Sequence, residues 1–321
     1  MFGYLRFFLA FLVLLSHIGV KFYTLNPGVI AVVIFYILAG YVVSHLYRDI
    51  LPSKDKLLSF YKDRFFRIFP LYIYVIILTT IFLLFTSFGN PHFTFLNLFN
   101  NLAVIPLNYY MYIDSTVLTK PSWWLIPPAW SLGTELQAYI LLPFAFVYKR
   151  FRFVLIFVSF TVYTAANLSI IHPDYFGYRF LAGVFFIFLV GSAIQSNEKS
   201  DRYYLAFVYF SVLTAAVIFS VKDLFSPAYT KETFIGLLLG IPLVLFFSKT
   251  KIKLPLNSFF GELSYAFFLT HFLAIWILEY MGISPSITYI YLLELSSLTI
   301  FISTFLVFVV PSNRINRISR T

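Results

Sequence analysis

Cysteine is absent from the 321-residue chain. That excludes disulfides, thiol nucleophiles and thiolate metal sites, and it leaves the redox compartment open. Charge is scarce as well: 11% of residues are Asp, Glu, Lys or Arg, against about 25% in soluble domains. The five histidines show no His-x-x-x-His spacing, so no metal motif is legible. No period of 20–50 residues repeats, and no low-complexity tail or second domain stands out.

What is present is apolar. Hydrophobic residues make up 60% of the chain, with 42 Phe and 24 Tyr, a composition suited to lipid contact and interfacial belts. Ten apolar segments are long enough to span a bilayer: about 3–22, 28–47, 68–88, 129–148, 153–171, 179–196, 203–222, 232–249, 259–281 and 289–310. The pattern predicts an all-α, polytopic membrane helix bundle forming a single domain over 1–321, with no soluble extracytoplasmic domain. The first segment has the positive residue and apolar run of a signal peptide, but it lacks a small-x-small cleavage site and is interrupted by His17. It is expected to be retained.

The connecting segments alternate in charge. Residues 48–67 carry Arg48, Lys54, Lys56, Lys62, Arg64 and Arg67. Lys149, Arg150, Arg152, Lys199, Arg202, Lys249, Lys251, Lys253, Arg314, Arg317 and Arg320 fall on the same side. With Arg6, that side holds eighteen of the 23 basic residues. The positive-inside rule then predicts both termini in the cytoplasm. The net charge of +10 thus reads as topology and contact with anionic lipid. Nothing resembles a base-stacking or groove-reading module, so no nucleic-acid partner is expected. The longest external segment, 89–128, contains Pro121-Ser-Trp-Trp-Leu-Ile-Pro-Pro128, whose Trp and Pro pairs look interfacial.

Against this background a few polar residues stand out. Arg6 and His17 lie eleven residues apart in the first segment, which places them on nearly one helix face, about 16 Å apart along the axis. His17 suits an interfacial histidine bonded to a carbonyl, and equally a general base or nucleophile, since an ordinary imidazole pKa near 6.5 allows proton transfer at neutral pH. Glu135 enters from the same outer side and could orient His17 or pair with an arginine such as Arg179. Arg6 could snorkel or meet an anion, and the density of Arg64 and Arg67 suits either a positive-inside face or a phosphate-bearing ligand. His271 falls near the midplane, where a packing histidine is the commoner case. A transporter or flippase of a lipid-linked sugar would also line a path with such residues, but the two halves show no internal repeat. A scaffold with purely structural polar residues is the third reading.

Taken in order, several stretches resemble one family. Leu5-Arg-Phe-Phe-Leu-Ala-Phe-Leu-Val-Leu-Leu-Ser-His17 is similar to the Arg…His first helix of the membrane acyltransferase 3 family. Val33-Ile-Phe-Tyr-Ile-Leu-Ala-Gly-Tyr41 resembles its Phe-Phe-x-x-Ser-Gly-Phe helix, and Arg64-Phe-Phe-Arg-Ile-Phe-Pro70 its Arg-x-x-Arg-Ile-x-Pro. Ala129-Trp-Ser-Leu-Gly-Thr-Glu135 resembles Trp-Ser-Leu-x-x-Glu, with Phe188-Leu-Val-Gly191 a shorter match. Ser264-Tyr-Ala-Phe-Phe-Leu-Thr-His271 resembles Ser-Tyr-x-x-Tyr-Leu-x-His. Departures are Val33 where many members are acidic, Ala39 for Ser, and Leu273 where Pro is frequent.

The family O-acylates sugars and related acceptors. The resemblance implies a donor substrate, acetyl-CoA or another acyl-CoA, and a sugar or polysaccharide hydroxyl as acceptor, with no bound cofactor or metal. It implies His17 and Glu135 as the catalytic pair and Arg6, Arg64 and Arg67 as donor-binding residues. Trp130, Ser131, Tyr265 and His271 would line the pocket. The expected location is a bacterial inner or plasma membrane.

Overall fold

The computed structural model describes residues 1–310 apart from Asn197, Ser226 and Lys251. Of the basic residues used for orientation, Lys251, Arg314, Arg317 and Arg320 lie outside the described residues. A helix stands at each of the ten apolar segments. Seven of these are long and apolar enough to cross a membrane. They are α2 (Pro27–His45, continued by a π-helical turn Leu46–Ile50), α3 (Lys56–Thr86) and α8 (Leu181–Ser196, preceded by a π-helical turn Tyr175–Arg179). The others are α9 (Lys199–Val221), α10 (Thr230–Lys249), α11 (Asn257–Tyr280) and α12 (Tyr289–Val309).

The remaining three fall short for separate reasons. The first helix, α1 (Phe2–His17), has 16 residues, fewer than the roughly 20 of a full crossing. It ends at His17, and residues 18–25 form turns closed by a Phe22–Leu25 bridge. The polar residues Ser131, Thr134, Glu135 and Gln137 dilute α6 (Ala129–Val147), and α7 (Lys149–Asn167) opens on three basic residues. The expected loop 48–67 is also partly helix: α3 begins at Lys56, so Lys62, Arg64 and Arg67 ride on its first turns and Pro70 lies inside it. Between α3 and α6, the chain forms two short helices, α4 (Phe95–Ala103) and α5 (Ile105–Asn108), and a two-residue hairpin of β1 (Leu118–Thr119) with β2 (Ser122–Trp123).

Two compact units make up the chain, and their division falls inside α1 and α6. The first comprises Met1–Phe2, Leu15–Lys56 and Thr134–Pro255. Its core is α2 against α8, and the crossing is made by small residues, as membrane helices that pack closely require. A Cβ added at Gly40 would stand 1.8 Å from the Phe188 carbonyl oxygen, and one at Gly191 1.9 Å from that of Ile37. On another face of α2, Gly236 and Gly240 of α10 meet Val33, Ile34 and Ile37. Asn26 starts α2: its Oδ1 accepts from the Gly28 and Val29 amides at 2.9 and 3.2 Å and from Ser16 Oγ at 2.7 Å. Its own amide donates to Glu232 of α10 at 3.0 Å. The outer faces of α7 and α9 are apolar and exposed, as at Phe157 and Phe207, which is the surface a bilayer covers.

The second unit comprises Gly3–Leu14, Leu57–Gly133 and the described chain from Leu256. Within it α1 lies against α11. The Gly3 amide donates to Asn257 Oδ1 at 2.9 Å, and the rings of Phe7 and Phe267 are 5.3 Å apart. Thr270 of α11 and Ser303 of α12 share a buried hydrogen bond of 2.9 Å.

An asparagine ladder on α4 then fixes the long connection. Asn97 Nδ2 donates to the Thr116 carbonyl, Asn100 Nδ2 to that of Asp114 (3.1 Å) and Asn101 Nδ2 to that of Ser115 (2.9 Å). Asn101 Oδ1 accepts from the Leu125 amide at 2.8 Å, and its carbonyl accepts from Tyr72 Oη of α3 at 2.7 Å. Asp114 accepts from the Thr116 amide at 2.9 Å, which holds its carboxyl below the usual range. That bond's contribution is present at neutral pH and is lost as pH falls through the lowered value.

Asn101→Ala is expected to strand the buried Ser115 carbonyl and Leu125 amide, at about 1–3 kcal/mol for each group. Protease cutting within residues 109–125 at unchanged α11–α12 protection is the measurement that checks it.

Candidate functional site

Of the sequence-predicted residues, His17 and Glu135 fall in the first unit. Arg6, Arg64, Arg67, Trp130, Ser131, Tyr265 and His271 fall in the second.

In the first unit, His17 is the last residue of α1 and is exposed. Its neighbour Ser16 is tied through Asn26 to the start of α2 and to Glu232. The backbone that carries the imidazole is therefore fixed although the side chain is accessible. Glu135 lies in the second turn of α6, half-buried, and accepts from Tyr139 Oη one turn on. That bond orients the carboxylate along its own helix. The preceding residue, Thr134, is fully buried and donates to the Arg179 carbonyl at 2.8 Å. Arg179 sits in the π-helical turn before α8, where its Nε donates to Asp174 at 2.8 Å. Both side chains of that pair are largely buried. Asp174 is thus a carboxylate partner of Arg179 that the sequence reading did not name.

Tyr36 of α2 is a second residue that the sequence does not single out. Its hydroxyl lies within electrostatic range of Thr134, Glu135 and Arg179, and its ring is 4.8 Å from that of Phe188. It sits in an uninterrupted apolar run, so periodicity gave it no distinction. Together Tyr36, Thr134, Glu135, Tyr139, Asp174 and Arg179 make a polar group in apolar surroundings. Its chemistry is that of a carboxylate, phenol hydroxyls and a guanidinium, able to orient a protonated imidazole or a hydroxyl-bearing substrate.

In the second unit the arginines differ in setting. Arg64 is buried and bonds Asp63 through both Nε (3.0 Å) and Nη2. Asp63 adjoins it in sequence and shares its burial. Arg67 is half-buried; its Nη2 donates to the Gly261 carbonyl at 3.3 Å, and its guanidinium lies 5.8 Å from the Tyr265 ring. Tyr265 Oη in turn donates to the Ile68 carbonyl at 3.1 Å. Arg67 and Tyr265, read separately from sequence, are brought together where α3 meets α11. Arg6 is half-buried on α1.

Trp130 and Ser131 are buried in the first turn of α6, where Ser131 Oγ donates to the Pro128 carbonyl at 3.0 Å. His271 is fully buried in α11, with Nδ1 3.3 Å from the Phe267 carbonyl of its own helix and its ring 5.2 Å from Phe272. A carbonyl only accepts, so Nδ1 carries the proton there.

Asp63→Ala is expected to take one carboxylate from the buried Arg64 cation and to destabilise the protein. Asp63→Asn, which keeps an acceptor, is expected to lose less. Thermal unfolding of the two purified variants in detergent orders them, and an equal loss in both would remove charge as the cause.

Comparison with known proteins places these residues in a wider set. The family model described as an acyltransferase domain, that of acyltransferase 3, matches residues 2–312. A protein of Aquifex aeolicus (strain VF5), named only as uncharacterized, is 41% identical over 217 residues, which are 65% of this chain and 97% of the relative. No solved structure matches.

Proposed function

Because the chain belongs to the acyltransferase 3 family, we propose that it is a membrane-bound O-acyltransferase that moves an acetyl group from acetyl-CoA to a hydroxyl of a sugar or polysaccharide. The single observation that carries this reading is the family match over nearly the whole chain. It is a multi-pass membrane protein; in this reading it lies in a bacterial inner membrane with about ten crossings, the three shorter or more polar helices included, and with cytoplasmic termini.

In this reading the acceptor oxygen attacks the thioester carbonyl while His17 takes its proton. The carbon–sulfur bond breaks, and the CoA thiolate leaves and recovers a proton from His17. Glu135, held by Tyr139, orients the imidazole and stabilises its cationic form. The CoA phosphates are charge-assisted partners for Arg64, Arg67 and Arg6. Arg64 then exchanges part of its contact with Asp63 for phosphate, while Arg67 keeps the Tyr265 ring as a platform. Trp130, Ser131 and His271 serve as wall residues. The contacts of Ser131 and His271 with nearby carbonyls suit a fixed lining.

Mass spectrometry of surface glycans from a deletion strain tests the reading. Loss of one acetyl group from a glycan component, restored by the wild-type chain, is the expected result. Unmodified glycan that fails to reach the surface would replace it with a flippase.

A further inference from the structure

A cluster of charges in the first unit has no part in the proposed chemistry. It lies where α2 ends, α6 ends and α7 and α9 begin. Arg48 belongs to the π-helical turn that follows α2, a backbone form concentrated at functional sites. Its guanidinium lies 5.4 Å from the Phe146 ring of α6 and, among the described residues, makes no hydrogen bond or ion pair. Lys56 adjoins it, donating to the Arg48 carbonyl at 3.5 Å. Arg152 of α7 pairs through Nη2 with Asp201 of α9, while its Nε is buried and has no partner.

Arg152, Asp201, Glu198 and Asp49 are all within electrostatic range of Arg48. The carboxylates are already engaged: Asp201 also accepts from Ser196 Oγ, Glu198 faces Lys149 at 3.8 Å, and Asp49 accepts from His45 and from Gln195. The same helix starts also carry Arg150, Lys199 and Arg202, so cations outnumber the three carboxylates Asp49, Glu198 and Asp201.

We infer that Arg48, with the free Nε of Arg152, forms a binding site for a phosphodiester anion, the headgroup phosphate of an anionic phospholipid. A planar guanidinium braced on a ring is pre-organised for phosphate oxygens. Directly beyond the cluster, Phe153 and Phe157 of α7 and Tyr203, Phe207 and Phe210 of α9 are each more than half exposed. They offer the apolar surface along which acyl chains would lie. Basic pockets between membrane helices near a headgroup layer bind such lipids. Its residues are not among the arginines assigned to the donor.

The purified full-length chain in detergent, mixed with phosphatidylglycerol or phosphatidylcholine and read by native mass spectrometry and thermal unfolding, tests it. One phosphatidylglycerol is expected to be retained and to raise the melting temperature, with no such effect from phosphatidylcholine. Arg48→Gln is expected to weaken retention about tenfold while melting like wild type without lipid. Arg48→Lys, which keeps the charge and loses the planar fork, is expected to fall between. Competition by millimolar inorganic phosphate would keep the phosphate site and make its ligand a free phosphate group. Equal retention of both lipids, or wild-type retention by Arg48→Gln, would overturn the inference.

Discussion

His17→Ala is expected to lower acetyl transfer by about 10²- to 10⁴-fold, the range a positioned proton-transfer group contributes, while leaving the amount of folded protein unchanged. His17 is exposed at the end of α1, and exposed substitutions usually stay within about 0.5 kcal/mol. The end of α1 is tied through Ser16, Asn26 and Glu232. Acetyl transfer from labelled acetyl-CoA, assayed in membranes at matched protein level, checks it. Glu135→Gln keeps the acceptor for Tyr139 and removes the charge, so its loss should be the smaller of the two. Undiminished acceptor acetylation in His17→Ala would end the catalytic assignment of the imidazole.

Gly40→Leu is expected to abolish recovery of folded protein. Even the first added carbon would lie 1.8 Å from the Phe188 carbonyl oxygen, and backbone cannot rotate out of the way as a side chain can. The helices would have to separate, at a cost beyond the roughly 1–3 kcal/mol of ordinary overpacking. Gly191→Leu should behave alike, because its Cβ would meet the Ile37 carbonyl from the other side of the same crossing. Phe210→Leu, at a side chain 62% exposed, is the control and should be tolerated. Size-exclusion profiles and melting temperatures of the three variants decide the matter; a monodisperse Gly40→Leu with a wild-type melt would contradict the packing account.

The helices were legible because long apolar runs fix them with little help from context. All ten apolar segments are helical. Their ends were less legible. The stretch from Lys56 to Arg67 reads as a charged loop, yet it is helix, since Lys and Arg are good helix formers and the wet side of α3 can bear them. At the candidate site, the residues with charge could be found and their partners could not. Asp63 adjoins Arg64, and adjacent residues do not normally face each other on a helix; only the buried geometry reveals the pair. Glu135 and Tyr139 stand at the familiar four-residue spacing and their bond was within reach of inspection. Tyr36 was hidden by its apolar neighbours, and Asp174 by lying in a turn. Neither π-helical turn leaves a mark in composition, although both carry an arginine, Arg48 and Arg179.

Those two turns have a bearing on how relatives should be compared. A π turn spends one residue more per hydrogen-bonded loop than an α turn. Each of the two turns ends in an extended residue, Leu51 and Phe180, so its extra residue sets where the chain leaves the helix. A relative in which the turn at Leu46–Ile50 has relaxed to regular helix would look, in an alignment, like one with a harmless single-residue deletion. Its arginine would then leave the turn at another angle to Phe146. Single-residue gaps beside Arg48 and Arg179 are therefore the places where two chains of this kind can share every charged residue and still present them to different neighbours.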